Sequence, residues 1–411
     1  MRKAANYIIT FILLLFYIYS IRLTFLPVTP KIMMEVLGLF VYMAYAKKNL
    51  IPATFVSFLF LLVVINIFGL FTVIINGTSE FIYIFQWLVA PIGAFFGSYF
   101  IYRASRKSIT DITSFLKILS SVVFVESIIT VFIRLSPSFA SVVGSVQEYL
   151  LTEDDLAFGI QELYRFTGLG IAVYFGVIPS CAVGVMTTVY LLVNSKSRVQ
   201  RLYYSFVFVF ISVVSFLVAK TSALVVLLAC LFYGYCLIRR KSFKMLGSMI
   251  LVAITMVVLF NYAEQYLPRN VYKWAFDVFL EKDINTGSSG AVIDTWKHTK
   301  FDAKTFLIGD ARYTEGQHYY KGVDVGYYRE IYYGGIIGLL LIFMCNFKVV
   351  KDTMRYALDN EMKIMLLCLY GSYLIALGKG DLNMIDVFIM FFVFFYYITK
   401  EKSSNEILIT Q

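Results

Sequence analysis

Residues 322–338 read GVDVGYYREIYYGGIIG, and the apolar run LLLIFM follows at residues 339–344. A polar segment therefore turns here into an apolar helix of the kind that enters a membrane. An acidic residue, Asp324, and a basic one, Arg329, lie one or two helical turns apart beside several tyrosines. The glycines that follow leave a smooth helix face that another helix or a lipid chain can approach closely. The stretch is typical either of a functional site or of a glycine-rich packing surface with one arginine that reaches the lipid head groups.

The composition of the whole chain predicts a polytopic membrane protein. Of the 411 residues, 60% are hydrophobic and 18% aromatic, and the mean hydropathy is +0.76. A soluble domain of this size needs a largely polar outer layer and does not carry so many apolar residues. Lys and Arg outnumber Asp and Glu by 36 to 26. These basic residues stand in short clusters between apolar runs, which favours membrane topology over nucleic-acid binding.

The apolar runs predict about twelve transmembrane helices, since a spanning helix needs about 20 mostly apolar residues. With that count, the basic clusters between the runs all fall on one side of the membrane. The sequence therefore predicts a single integral membrane domain over residues 1–411, with both termini in the cytoplasm. The expected helices lie near residues 5–25, 31–46, 51–75, 81–102, 112–134, 168–193, 202–219, 221–238, 245–263, 330–347, 362–378 and 383–399.

Two longer segments, residues 135–166 and 264–329, fall on the opposite side and are predicted to be extracytoplasmic loops. Apolar residues recur at helical spacing after Pro268, which predicts an amphipathic helix on the outer membrane face or over a cavity. The glycine- and serine-rich run 285–290 is expected to break that helix. A second short helix is expected around residues 294–298.

No residue pattern in the chain is typical of a metal, disulfide or nucleotide site. All five cysteines lie in apolar runs, and the two histidines, His298 and His318, lack the spacing of metal ligands. The chain has no phosphate-binding loop, dinucleotide fingerprint or nucleophile elbow. We therefore expect no cofactor, and an ATP-driven pump or a transferase with its own cytoplasmic nucleotide-sugar domain is disfavoured.

Three cationic residues are predicted to lie at the outer interface of the membrane. Arg165 precedes the sixth expected helix, Lys220 interrupts the apolar run between the seventh and eighth, and Arg329 precedes the tenth. Three such groups at one level can bind an anion such as a lipid-linked diphosphate. Alternatively, each side chain only extends to the phospholipid head groups.

Two carboxylates are expected inside the hydrocarbon layer. Glu126 lies within the fifth expected helix, and Glu35 lies near the outer end of the second. Because burying a carboxylate in lipid costs a few kcal/mol, each is expected to face a polar cavity or a partner. Either can instead be structural, bonded to a lysine or hydroxyl of a neighbouring helix. Pro91 and Pro179 are expected to kink the fourth and sixth helices.

Four segments resemble a known family. The sequences FLIGDARY at residues 306–313, DVGYYR at 324–329 and YGGIIG at 333–338 are similar to the last external loop of Wzy-type polysaccharide polymerases. These enzymes polymerise O-antigen and capsular repeat units. The sequence RFTG at residues 165–168 resembles the arginine–glycine start of a middle helix in the same family. The predicted order of helices also matches along essentially the whole chain.

The resemblance implies an integral, GT-C-like glycosyltransferase that uses neither a nucleotide sugar nor a metal. Such an enzyme transfers a growing glycan from undecaprenyl diphosphate onto a lipid-linked oligosaccharide repeat unit at the outer face of the bacterial cytoplasmic membrane. Its implied partners are lipid-linked oligosaccharide and membrane lipids, with a chain-length regulator and a flippase as further candidates. No nucleic acid is implied.

The resemblance also implies roles for individual residues. Asp324, Arg165 and Arg329 are the expected catalytic residues, with Glu126 and His318 as secondary candidates. The acceptor hydroxyl needs a base, for which Asp324 or Glu126 is available. The cations expected on the leaving diphosphate are Arg165, Lys220, Arg329 and Arg312. The aromatic residues expected to stack on sugar rings are Tyr327, Tyr328 and Trp296.

The chain departs from the family pattern at several positions. Ala311 stands where the family often has glycine, and Ala291 and Val292 stand where an arginine often precedes the loop tryptophan. The run 220–222, Lys-Thr-Ser, replaces a commoner serine–arginine pair. The identity of the second and third cations is therefore open, and Lys297, Lys300 or Arg312 can serve instead.

Two other functions remain as alternatives. An O-antigen ligase shares the fold and donor but transfers glycan to a lipid or protein acceptor. Relatives of that kind usually have a histidine–asparagine pair near the position of Asp324, which favours the polymerase. A flippase for lipid-linked oligosaccharide performs no chemistry, and a long external loop such as 264–329 favours an enzyme over it.

Overall fold

A computed structural model describes residues 2–45, 51–148, 166–170, 177–241, 287–316, 318–380 and 383–409. Between residues 242 and 286 it describes only Gly247, Ile254, Val258, Tyr262, Gln265, Arg269, Val271 and Tyr272. The described chain is mostly helical, and its strands are two-residue segments. The prediction of an all-α membrane protein is confirmed for this part of the chain.

The described helices are α1 (Arg2–Tyr19), α2 (Pro30–Tyr45), α3 (Ala53–Asn76), α4 (Ile82–Ser105), α5 (Ile112–Leu135), α6 (Pro137–Val146), α7 (Ile178–Val193), α8 (Arg198–Val218), α9 (Ser222–Arg240), α10 (Gly287–His298), α11 (Ala303–Ile308), α12 (Gly326–Thr353), α13 (Asn360–Leu377) and α14 (Ile385–Ile409). Four short strands form two antiparallel pairs, namely β1 (Arg22–Leu23) with β2 (Gln147–Glu148) and β3 (Thr314–Glu315) with β4 (His318–Tyr319).

Six of the described helices are long and apolar enough to cross a membrane, namely α3, α4, α5, α8, α9 and α12. Where an apolar run ends sharply in the sequence, the observed helix end lies close to the end predicted from hydropathy. Helix α5 begins after Asp111, whose carboxylate accepts a hydrogen bond from the Ser114 amide (2.8 Å) and caps the helix. Several such helices in one chain indicate a multi-pass membrane protein.

The chain forms two compact units. One unit contains Met1–Lys31, Lys107–Ile284 and Leu358–Ile375. The other contains Ile32–Arg106, Asn285–Ala357 and Ala376–Gln411.

The core of the first unit is α7, which is buried at every position except Pro179. Helices α5, α8 and α9 surround it. A helix that is apolar all round is expected at the centre of a bundle. Gly184 lets the side chain of Val123 approach the α7 backbone, and the Ser120 and Thr188 hydroxyls share a hydrogen bond of 2.7 Å.

Two predicted helix boundaries in this unit are wrong. The sixth expected helix was placed over 168–193, but residues 166–170 are not helical and α7 begins at Ile178. The first was placed over 5–25, but α1 ends at Tyr19 and β1 follows. The late start of α7 has a structural reason, because Gly170 has a φ of +110° and lies against the Tyr19 carbonyl, in a conformation that glycine permits. Hydropathy alone does not predict such an interruption of a helix.

In the second unit, α4 contains a π turn at Phe85–Val89, which ends two residues before Pro91. Proline has no N–H, so the carbonyl four residues earlier, that of Trp87, loses its usual helical donor. The amide side chain of Asn66 on α3 donates to this carbonyl at 3.1 Å. The distortion expected at Pro91 is therefore a π turn, and a side chain of the neighbouring helix α3 supplies the donor that the Trp87 carbonyl lacks.

Helix α12 is interrupted at Gly335, where φ is 63° and ψ is −172°. The rings of Tyr327 and Phe343 lie 5.9 Å apart although sixteen residues separate them. In a continuous helix these positions would be about 24 Å apart. The segment 326–334 is therefore folded back towards 336–353. The helix expected near 330–347 is present within α12, but its interruption at Gly335 was not predicted, because glycine permits a backbone reversal that an apolar pattern does not reveal.

The loop between α11 and β3 fits into this interruption. The amides of Asp310 and Ala311 donate to the carbonyls of Tyr332 and Tyr333 at 2.6 and 3.1 Å. These carbonyls lie just before the break, where the helical pattern of donors ends. Gly335 lies against the main chain of residues 307 and 308, so closely that a Cβ would overlap it. Main-chain hydrogen bonds thus fasten the α11–β3 loop to the start of α12.

The loop predictions have mixed outcomes. The short helix expected around residues 294–298 is confirmed as part of α10. That helix begins at Gly287, so residues 287–290 of the glycine- and serine-rich run form its first turn. Most of the amphipathic helix expected after Pro268, and the ninth expected membrane helix over 245–263, lie outside the described residues.

Candidate functional site

Arg329 lies in the first turn of α12, and two tyrosine rings contact its side chain. Its guanidinium carbon is 4.6 Å from the ring centroid of Tyr313 and 4.3 Å from that of Tyr319. We call these two residues the aromatic clamp. The β3–β4 hairpin pairs Thr314 with Tyr319 and so fixes the clamp residues relative to each other. Cation–π contacts contribute roughly 0.5–2 kcal/mol each, so Arg329 is held in place by the protein.

The carboxylate of Glu330 is almost completely buried, with 2% of the residue exposed. The Tyr313 hydroxyl donates to one of its oxygens at 2.6 Å, and the Tyr83 hydroxyl donates to the other at 3.0 Å. A buried charge is strongly unfavourable unless it is hydrogen-bonded. These two hydroxyl donors therefore allow an acidic residue to occupy the segment 326–334.

Glu80, just after α3, holds the beginning of the hairpin. One of its carboxylate oxygens accepts hydrogen bonds from the amides of Tyr313 and Thr314, at 2.8 and 3.4 Å. The Tyr333 hydroxyl donates to the Glu80 main-chain carbonyl at 2.5 Å. Tyr313 is therefore fixed both through its main chain and through its hydroxyl.

A third carboxylate, that of Asp310, lies among hydroxyl and ammonium groups. The hydroxyls of Thr305 and Tyr320 donate to it at 2.8 and 3.3 Å. The ammonium of Lys321 is 3.5 Å away, and that of Lys304 is 4.0 Å away. Such distances make Asp310 the centre of a partly exposed charge network, not an uncommitted base.

The same network affects the pKa values of its neighbours. Burial raises the pKa of the Tyr320 hydroxyl, and the charge of Asp310 raises it further. For Lys321, burial alone lowers the pKa, but Tyr320 and Asp310 together outweigh it, so that the pKa is raised. Arg312 lies 5.9 Å from the Tyr320 ring. Lys321 therefore remains cationic at neutral pH.

Asp324 lies immediately before Val325, the residue that precedes α12. It is half-buried, and within the described part of the chain its carboxylate has no hydrogen-bond or ion-pair partner. The structure thus brings Arg329 to the aromatic clamp and not into an ion pair with Asp324. A carboxylate that is not already committed to a donor can accept a proton from a substrate hydroxyl.

The aromatic residues predicted to bind sugar have different surroundings. Trp296 on α10 is exposed, and its carbonyl accepts from the Tyr328 hydroxyl at 3.3 Å. The Tyr328 ring packs against Phe301 with centroids 5.2 Å apart. Tyr327 packs against Phe343. Trp296 is therefore the accessible aromatic surface of the three, whereas both tyrosines also serve as packing residues.

In the first unit, Glu126 on α5 is also buried, with 3% of the residue exposed. The Thr130 hydroxyl donates to its carboxylate at 2.8 Å, and the Leu169 amide donates to the same oxygen at 3.2 Å. The expectation that Glu126 faces a polar partner is confirmed. Its partners include the main chain of the segment 166–170, which contains part of the motif that begins at Arg165.

Arg165 itself lies outside the described residues. Its neighbour Phe166 is buried, and the Phe166 amide donates to the carbonyl of Leu217 at 3.2 Å. Lys220 lies three residues beyond Leu217, half-buried in the turn between α8 and α9. The motif after Arg165 and the turn that carries Lys220 are thus neighbours within this unit.

Sequence reasoning did not identify Glu330, Glu80, Asp310 or the clamp residues as parts of the site. Glu330 carries a signal that was present in the sequence, since an acidic residue beside an apolar run needs a partner. The contribution of Glu80 could not be predicted, because it meets Tyr313 across 233 positions of the chain.

His318 is exposed on β4, opposite Glu315. Among the described residues, no group of three His, Cys, Asp or Glu side chains could hold a metal ion. Arg312 is exposed, as are Lys297 on α10 and Lys304 on α11.

No protein-family model matches the chain. No curated protein is significantly similar to it in sequence.

Proposed function

We propose that this chain is a polysaccharide polymerase of the bacterial cytoplasmic membrane, with about twelve membrane helices, a GT-C-like arrangement and cytoplasmic termini. In this proposal it transfers a growing glycan from undecaprenyl diphosphate onto a lipid-linked oligosaccharide repeat unit at the outer face. The product is an O-antigen, capsule or exopolysaccharide. A chain-length regulator and a flippase are the proposed protein partners.

The proposal rests on one observation: a cation that the protein holds in place and an available carboxylate lie at the same loop–helix junction. Arg329 is held by two tyrosine rings, and Asp324 stands five positions earlier, half-buried. Rings contact the face of a guanidinium, whereas phosphate oxygens bind its N–H edge. The clamp is therefore compatible with a diphosphate bound by Arg329.

The proposed reaction is a substitution at the anomeric carbon of the donor sugar. The acceptor hydroxyl oxygen forms the new glycosidic bond to this carbon while the bond from the carbon to the diphosphate oxygen breaks. Asp324 takes the proton of the attacking hydroxyl. The diphosphate leaves with the bonding electron pair, and cationic groups such as Arg329 stabilise the charge that develops on it.

The first unit supports the proposal with a second set of groups. The segment that follows Arg165 is fixed by the Glu126 carboxylate and by the carbonyl of Leu217. We propose that Arg165 and Lys220 bind phosphate oxygens of the lipid-linked substrates. Arg312 is a further candidate for this role. Because Glu126 already accepts two hydrogen bonds, Asp324 is the better candidate for the base.

Trp296 supports a carbohydrate substrate, since an exposed indole offers a flat surface for a sugar ring. Tyr327 and Tyr328 are proposed to line the same region. Their hydroxyls can contact substrate while their rings pack internally, as tyrosines at binding surfaces commonly do.

The test uses purified protein in lipid nanodiscs or proteoliposomes with undecaprenyl-diphosphate-linked repeat units extracted from the native host. A ladder of lipid-linked products with released undecaprenyl diphosphate is the expected result. Transfer of one glycan to a different lipid or protein acceptor would replace the proposal with a ligase. Transbilayer movement without a new glycosidic bond would replace it with a flippase.

A further inference from the structure

Glu330 has no role in the reaction proposed above, yet the structure surrounds it with dedicated donors. Each carboxylate oxygen accepts a hydrogen bond from a tyrosine hydroxyl, and the two tyrosines lie in separate segments of the second unit. Tyr83 lies on α4, and Tyr313 precedes the β3–β4 hairpin. An apolar residue at position 330 would satisfy packing without the cost of a buried charge. This arrangement therefore points to a function for the carboxylate.

Tyr313 connects Glu330 to Arg329. Its hydroxyl donates to Glu330 at 2.6 Å, and its ring centroid lies 4.6 Å from the Arg329 guanidinium carbon. Its amide is held by Glu80 at 2.8 Å. The main chain of Tyr313 is thus fixed at one end and its hydroxyl at the other. The orientation of the ring between these points determines where the guanidinium can rest.

We infer that Glu330 is a positioning residue for Arg329, and that it acts through the hydroxyl of Tyr313. The inference rests on the proposed function in one respect, namely that Arg329 binds the leaving diphosphate. A charged acceptor holds a hydroxyl roughly twice as strongly as a neutral one. A glutamine at position 330 would keep the size but present an NH₂ group to one of the two tyrosine hydroxyls.

The first experiment measures the position of Arg329 without any ligand. In protein labelled with ¹³C and ¹⁵N arginine, ring currents of the clamp shift the Arg329 side-chain signals, which Arg329→Lys identifies by their loss. Glu330→Gln and Tyr313→Phe should move these signals towards those of exposed arginines. Unchanged signals in both variants would overturn the inference, whatever the protein's substrate is. Tyr313→Phe serves if Glu330→Gln does not fold.

The second experiment measures binding of undecaprenyl diphosphate to protein in nanodiscs. Glu330→Gln and Tyr313→Phe should each raise the dissociation constant about ten-fold, the order expected for one lost hydrogen bond to a charged group. In an Arg329→Ala background, Glu330→Gln should add no further loss, because it acts through the residue already removed. Losses that multiply independently of Arg329 would contradict the inference.

Asp352→Asn is the matched control. Asp352 is also a buried acid on α12, with 2% exposure, and it contacts Lys348 and Arg355 near the other end of the helix. Its substitution should leave both the arginine signals and the binding unchanged. If wild-type protein does not bind undecaprenyl diphosphate at all, the proposed function fails, while the arginine spectra still decide the role of Glu330.

Discussion

Gly168 lies directly against the carboxylate of Glu126. A Cβ at position 168 would overlap both Glu126 Oε1 and Thr130 Oγ1. The Leu169 amide reaches the same carboxylate oxygen because the preceding residue has no side chain. The absence of a side chain at Gly168 is therefore required by the buried acid of α5.

Gly168→Ala should destabilise the protein by about 1–3 kcal/mol, the usual range for overpacking a filled site. The measurement is the apparent thermal unfolding midpoint of purified protein at one scan rate. Gly144→Ala on α6 is the control, since nothing lies within 4 Å of a Cβ there. That change should stabilise by roughly 0.5–1 kcal/mol through helix propensity. Equal midpoints for the two variants would contradict the steric argument.

Asp324→Asn should reduce glycan transfer by about two to four orders of magnitude, because it removes the proposed base and keeps the size of the side chain. The measurement is lipid-linked polymer formed per unit of inserted protein. Binding of undecaprenyl diphosphate should be retained, since the cations are untouched. Glu315→Gln, which neutralises an exposed acid on β3, should behave as wild type. Near-normal polymer from Asp324→Asn would exclude Asp324 as the base and make Glu126 the next candidate.

Ala311 adopts a φ of +51° and is fully buried. The left-handed region costs an L-residue roughly 1–2 kcal/mol, and glycine avoids this cost. Part of the gain is offset, because a glycine loses more conformational entropy than alanine when the chain folds. Ala311→Gly should therefore raise the unfolding free energy by up to about 1 kcal/mol, and Ala311→Val should lower it. The readout is again the thermal midpoint.

Ala104→Gly provides the comparison for Ala311→Gly, because Ala104 is exposed in the helical backbone of α4. There the same substitution should destabilise by about 0.5–1 kcal/mol. Opposite signs at the two positions are the expected result. Destabilisation at both would show that the Ala311 methyl packs too well for its backbone strain to matter.

The proposed topology places residues 135–166 and 264–329 outside the cytoplasm. In a background without the five native cysteines, Ser145→Cys and Glu315→Cys should react with an impermeant thiol reagent in intact cells or spheroplasts. Arg198→Cys should react only after the membrane is opened. All three positions are exposed, so differences in labelling report sidedness. Labelling of Arg198→Cys alone would reverse the orientation.

Helix positions could be predicted from hydropathy where apolar runs end at clear signals. Helix α3 was expected over 51–75 and extends over Ala53–Asn76, with Gly77 in a left-handed conformation after it. Gly335 shows the limit of that method, because a glycine inside an apolar run looks like a packing residue. Its reversal depends on Leu307, Ile308 and the loop that follows them, and contacts of that range cannot be read from local composition.

The candidate site was predictable to a similar extent. Arg329 and Asp324 stand out as charges next to a membrane helix, and both are found at the loop–helix junction. The aromatic clamp depends on strand pairing between Thr314 and Tyr319, and two-residue strands carry almost no periodicity. Glu330 needed donors from Tyr83 and Tyr313, which are 247 and 17 positions away. Hydrogen-bond donors from other segments of the chain cannot be identified from the sequence alone.

The attachment of the α11–β3 loop to α12 has an evolutionary consequence. Main-chain atoms make the joining hydrogen bonds between Asp310 and Tyr332 and between Ala311 and Tyr333. Such bonds are indifferent to side-chain identity, so mutation can replace the residues around them without displacing the junction. Only the glycines at the tightest contacts, such as Gly309 and Gly335, resist exchange. A chain with this scaffold can therefore vary in sequence along the loop while the attachment of the loop to α12 is kept.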